Sequence, residues 1–250
     1  MQASWPGGLA RIGAPFAGPA DFALANSNLK EISSMRVYNS FGPNPRALRM
    51  FLAEKDITIP TNEVDLMAAE NRRPPYTELN PGGQLPALEL DNGKTIGETC
   101  AIFEYLEEKN PKPALIGATA EERAETRQWQ RRVELNITEN IYNGFRYAEG
   151  FDLFKNRMPV FPEAAPSLKA LAQKRLEWLD GLIAGRDWIV PNRFTVADII
   201  LYCCTDFSAG VGQTIPASAK NLQAWFKRVA ARPSATASLH PASGKLKMRG

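Results

Sequence analysis

The stretch from Leu79 to Glu108, LNPGGQLPALELDNGKTIGETCAIFEYLEE, decides the fold. Its segments LPALEL (85–90) and KTIG (94–97) are short β-type runs on either side of Asp91-Asn92-Gly93. Asn-Gly favours φ > 0 at both central turn positions, so the pair reads as a β-hairpin. Gly97-Glu98-Thr99 then opens a helix over 100–109 with Ile102, Phe103 and Leu106 on one face.

Working outward, MRVYN (35–39) is a strand, and RALRMFLAEK (46–55) places Leu48, Phe51 and Leu52 at i, i+3, i+4 of an amphipathic helix. NEVDL (62–66) is a second strand. Strand, helix, strand, hairpin, helix is the thioredoxin topology, a parallel βαβ unit closed by an antiparallel hairpin and a helix. Asn110-Pro111-Lys112-Pro113 is a breaker cluster suited to a domain linker. Beyond it only helical periods occur. Trp129, Val133, Ile137, Ile141 and Phe145 step by four along a helix over 120–147, and Leu168 to Ile183 mark another. Leu222, Trp225, Phe226 and Val229 mark a third, which Pro233 ends. In RFTVADIILYCCTDF (193–207), Thr195 and Asp198 form a capping box and Phe194 and Ile199 a hydrophobic staple before a helix apolar on almost every side. The expected fold class is an α/β thioredoxin-like domain over 35–112 and an all-α domain over 113–250 with a disordered tail. Residues 1–34, rich in Ala, Gly and Pro without a sustained period, read as a disordered extension or as translation starting upstream of Met35.

Composition excludes several kinds of chemistry. The 250 residues carry a formal charge of only +3, with the basic residues scattered, which argues against nucleic-acid binding. No run approaches the ~18–20 apolar residues that span a bilayer. Cys100, Cys203 and Cys204 include no C-x-x-C pair and fit a reducing, cytoplasmic compartment. The single histidine, His240, lies in a Pro/Ser/Gly-rich tail and reads as a solvated residue, so catalytic triads and multi-histidine metal sites have almost no raw material. No metal is expected.

Three segments, GPNPRALRMFLAEK, the stretch quoted at the outset and RFTVADIILY, in this order and spacing, resemble the glutathione transferase superfamily over residues 35 to about 233. The chain is most similar to a bacterial and fungal group with G-P-x-P in the first loop and W-Q-R-R-V-E-L in the fourth helix. The resemblance implies glutathione as co-substrate, a small hydrophobic electrophile as second substrate, a role in detoxification, and a homodimer. It also implies a cis bond before Pro86, leaving the N–H and C=O of Leu85 to pair with the backbone of glutathione's cysteine as an added strand segment. An ordinary strand-starting proline is the alternative. Glu98 and Thr99, at a helix N-terminus, would take the γ-glutamyl end; the alternative is that they merely start the helix. Gln84 and Asn71 fall where the family holds the glycine carboxylate, and as neutral amides they would hold it weakly.

At the catalytic position the sequence departs from the family, which activates the thiol with a Tyr, Ser or Cys near the end of the first strand. Gly42 stands where related loops carry Ser or Thr; Ser40 is two residues early, and Asn44 donates without a hydroxyl. Fungal relatives lacking the hydroxyl use a Ser and a His on the fourth helix, which align with Tyr142 and Arg146, one turn apart. The alternative is that Tyr142 packs and Arg146 pairs with a surface acid. Cys100 is expected to pack inside. Two other functions remain open: a non-catalytic glutathione-binding protein, and a glutathione-dependent disulfide reductase, which would need a cysteine in the 40–44 loop.

Overall fold

The computed structural model describes residues 35–246 and 249–250, and the expectation for residues 1–34 lies outside them. Residues 35–250 form one compact unit. Four strands, β1 (Arg36–Asn39), β2 (Thr61–Glu63), β3 (Ala87–Glu89) and β4 (Thr95–Ile96), pair in the order β2-β1-β3-β4. β1 runs parallel to β2 and antiparallel to β3, with Val37 opposite Thr61 and Leu88. The hairpin is present with a different turn. Leu90 and Lys94 pair around three residues, Gly93 N–H donates to Leu90 C=O at 2.9 Å, and only Gly93 (φ 78°) takes positive φ. That is a type I turn followed by one left-handed residue, the favoured form for a three-residue loop.

Helix α1 (Pro43–Lys55) starts three residues earlier than its apolar period, because prolines are tolerated in a first turn where N–H groups are unpaired anyway. The short α2 (Tyr76–Leu79) precedes the hairpin and α3 (Thr99–Lys109) follows it. Phe51 of α1 stacks on Phe103 of α3 at 4.6 Å, and both are fully buried beneath the sheet.

The long helix expected over 120–147 is α4 (Ala120–Val133), a π turn (Glu134–Thr138) and α5 (Glu139–Arg146). Four-residue steps overrun an α-helical turn by about 40° each, so the apolar row would wind off the core. The wider π turn takes that excess back, and Trp129, Val133, Ile137 and Ile141 all stay buried. Periodicity could not reveal it, since a row stepping by four is compatible with a drifting stripe.

After α6 (Phe151–Phe154) and α7 (Ala165–Leu182) comes α8 (Val196–Ala209), buried along nearly its whole length. The capping box is formed: Ala197 N–H donates to Thr195 Oγ1 at 3.3 Å and Thr195 N–H to Asp198 Oδ2 at 2.9 Å. Asp198 also accepts from Ile189 N–H and Trp225 Nε1–H. α9 (Lys220–Ala230) stops before Pro233, which itself begins α10 (Pro233–Ala237). α11 (Ser243–Leu246) follows.

The tail past Pro233 differs from expectation. Ser238 is fully buried against Arg46 and Arg49, whose guanidiniums donate to its Oγ and its carbonyl. His240 is not a solvated residue. Its ring lies 3.1 Å from Glu63 Oε2, edge-on to Phe41, with its side chain 16% exposed. A polar, Ser-rich tail offers donors and acceptors that buried arginines need, which composition alone does not disclose.

Candidate functional site

A cavity of about 610 Å³ opens between the first loop and the helices. Phe41–Pro45, Leu66, Met67, Asn71, Arg72, Gln84 and Leu85 form one wall; α5, α6 and α8 supply the other through Tyr142, Phe145, Arg146, Leu153, Phe154 and Phe207. The helical wall is aromatic, with Phe145 edge-on to both Phe154 (6.1 Å) and Phe207 (5.2 Å).

Gly42 has φ 140°, a backbone geometry that side chains rarely adopt, so a hydroxyl cannot be supplied there without strain. Ser40 does not replace it. Its buried Oγ donates to Val64 C=O at 2.7 Å and it is absent from the cavity wall, which removes it as a catalytic candidate. Asn44 is better placed. Pro43 and Pro45 flank it without N–H groups, leaving its own amides as the donors at the start of α1. Tyr142 O–H donates to Asn44 Oδ1 at 3.2 Å, and among the described residues no acceptor engages the Asn44 side-chain N–H2. Burial holds the Tyr142 phenol well above its usual range, so it stays a neutral donor. Arg146 donates to Asn143 Oδ1 at 3.0 Å and lies over the rings of Tyr142 (5.7 Å) and Phe154 (5.8 Å). It has no ion-pair partner among the described residues, so the surface-acid reading does not hold.

The bond between Leu85 and Pro86 is cis. Leu85 faces the cavity, and among the described residues nothing engages its N–H or C=O. Gln84 is exposed on the same wall, its carbonyl held by Tyr76 O–H and Asn80 Nδ2–H. Asn71 has another task than the one expected. It is buried, and its side-chain N–H2 donates to Gly83 C=O at 2.6 Å, which fixes the loop before Leu85. Its neighbour Arg72 lines the cavity instead, with Nη1 3.4 Å from Gly82 C=O, a residue that the sequence reading missed. The adjacent Arg72-Arg73 pair was the available signal. Burial first, and then the like charges of Arg157 and Arg146, hold the Arg72 guanidinium below its usual range.

Glu98 and Thr99 lie outside the cavity wall, at the start of α3. Glu98 is exposed, with φ 61° and no capping bond, so among the described residues the first N–H groups of α3 have no side-chain partner. Cys100 donates to Glu134 Oε1 at 2.6 Å, and burial together with that carboxylate pushes its thiol far up, leaving it unreactive. Among the described residues no cluster of three or more His, Cys, Asp or Glu could hold a metal ion, and no helix is long and apolar enough to cross a membrane.

The glutathione S-transferase N-terminal domain family matches residues 41–109, and the corresponding C-terminal domain family matches 153–233. Glutathione S-transferase GstA of Escherichia coli O157:H7 is 30% identical over 182 residues, covering 72% of this chain and 83% of the relative. The chain belongs to the glutathione S-transferase superfamily. Among its relatives, glutathione S-transferase 2 of Saccharomyces cerevisiae is 28% identical over 221 residues, 85% of this chain and 93% of that protein. A crystal structure of a glutathione S-transferase domain-containing protein from Marinobacter aquaeolei VT8 is 35% identical with a TM-score of 0.75, covering 80% of this chain and 98% of that one. The combination of thioredoxin-like sheet and helical part is thus the transferase architecture.

Proposed function

We propose that the protein joins the thiolate of glutathione to a small electrophile with an apolar body. The observation that carries this reading is the cavity itself, where the unpaired Leu85 edge, the Asn44 amide and an aromatic wall face one space. The Leu85 N–H and C=O pair with the tripeptide backbone, the start of α3 with Glu98 and Thr99 takes the γ-glutamyl end, and Gln84 with Arg72 takes the glycine carboxylate. Asn44 donates to the thiolate, and Tyr142 positions Asn44. The sulfur then attacks the electrophilic carbon seated against Phe145 and Phe154. Replacing Glu98 and Thr99 together by Ala should abolish retention on immobilised glutathione; unchanged retention rejects the assigned site.

One observation favours a second reading, a non-catalytic glutathione binder: the first loop has no hydroxyl aimed at the cavity. That reading predicts binding without turnover on any electrophile. Disulfide reduction has no support, since residues 40–44 include no cysteine. We expect a cytoplasmic location, in keeping with three free thiols, and, from the family, a homodimer, which a monomer by light scattering at micromolar concentration would remove.

A further inference from the structure

The charges on the cavity wall do not balance. Among the described residues four charged side chains line it: Arg72, Arg146, Glu149 and Asp152. Both carboxylates already have cations, Glu149 with Lys169 and Asp152 with Lys155 at 2.7 Å. Neither guanidinium has a carboxylate partner among the described residues. Arg157 stands nearby with its N–H groups spent on the carbonyls of Leu66 and Met67, and the Asp65 carboxylate offsets its charge. Glutathione brings two carboxylates, which the reading above seats at the start of α3 and at Arg72. Arg146 is left uncompensated on the helical wall, over the rings of Tyr142 and Phe154. A planar guanidinium in an apolar setting matches a carboxylate bidentately and more strongly than it does a neutral acceptor.

We propose that the second substrate is an aromatic or similarly flat electrophile bearing a carboxylate, with Arg146 as the residue that recognises it. The apolar body packs on Phe145 and Phe154 while its carboxylate meets the guanidinium. This rests on the glutathione reading above. With 4-chloro-3-nitrobenzoate as probe, the thiolate sulfur attacks the ring carbon bearing chlorine. The C–S bond forms, the C–Cl bond breaks, and chloride leaves with the bonding pair.

The test uses the full chain and two products, S-(4-carboxy-2-nitrophenyl)glutathione and its aryl methyl ester, with binding measured by calorimetry so that no turnover is required. The acid conjugate should bind about tenfold or more tighter than the ester. In Arg146→Gln the ratio should fall to about one, whatever happens to the absolute affinities. Glutathione bound but both conjugates equal in the unmodified protein overturns this inference alone. A preference that survives Arg146→Gln overturns the assignment to Arg146. If glutathione and both conjugates all fail to bind, the transferase reading falls and this one with it. In turnover, an Arg146 that only stabilised the thiolate would lower the rates of 4-chloro-3-nitrobenzoate and its methyl ester equally, and that outcome too counts against the proposal.

Discussion

In the proposed reading Asn44 is the donor to the glutathione sulfur. It sits between two prolines that have surrendered their N–H groups, and a buried neutral phenol holds its side-chain oxygen. A donor to a thiolate lowers the thiol pKa by favouring the charged form. Asn44→Ala should therefore raise the apparent pKa in the pH profile of kcat/KM by about one unit or more, the effect of losing one bond to a charged group. Tyr142→Phe should give a smaller shift in the same direction and no further shift in the Asn44→Ala background, because it acts through Asn44. Additive shifts would mean that Tyr142 touches the sulfur itself, and a flat profile in both variants would remove Asn44. The candidates were legible in the sequence as residue types. Their ranking was not, because Ser40 is excluded only by its bond to Val64 across the sheet.

At the scale of the element, the start of α8 is the clearest case. Burial raises the Asp198 carboxyl to about 6, although donors from Ile189, Trp225 and Thr195 pull the other way. The folded state therefore binds this proton more tightly than the unfolded chain, whose carboxyl titrates near 4. The associated stability is fully present below about pH 4 and is lost as pH rises through about 6, an effect of roughly 2–3 kcal/mol. Urea titrations between pH 4 and 8 should show that decline in the native protein. Asp198→Asn should be less stable throughout and lose the slope; a variant that retained it would place the titration elsewhere. The box was readable from Thr195 and Asp198 alone, since capping is local. That Trp225, on another helix, shares the same carboxylate was not.

For the whole molecule, the question is what binds the sheet-bearing part to the helices. Lys55, at the end of α1, is buried against Glu107 of α3 and donates to Asn110 C=O (2.7 Å) and Pro113 C=O (2.6 Å). Glu107 in turn accepts from Ile116 N–H at 2.9 Å. The breaker cluster is thus clamped rather than loose. Lys55→Met should cost about 3–5 kcal/mol, because it strands a buried carboxylate. Adding Glu107→Gln, which keeps the bond to Ile116, should recover part of that loss. A cost under about 1 kcal/mol for the single variant would show that the clamp contributes little.

The sequence by itself determined the order of the four strands and the longer helices, the capping box, the burial of nearly all of α8 and the residue types around the site, since these follow from periodicity and local chemistry. Only the tertiary structure decided that Ser40 and Asn71 are spent on backbone carbonyls, that Arg72 and Arg146 share one cavity with no carboxylate paired to either among the described residues, and that His240 docks on Glu63. Each of these depends on which partner a polar group meets across dozens of residues, and a polar side chain carries no mark in sequence of the neighbour that will satisfy it.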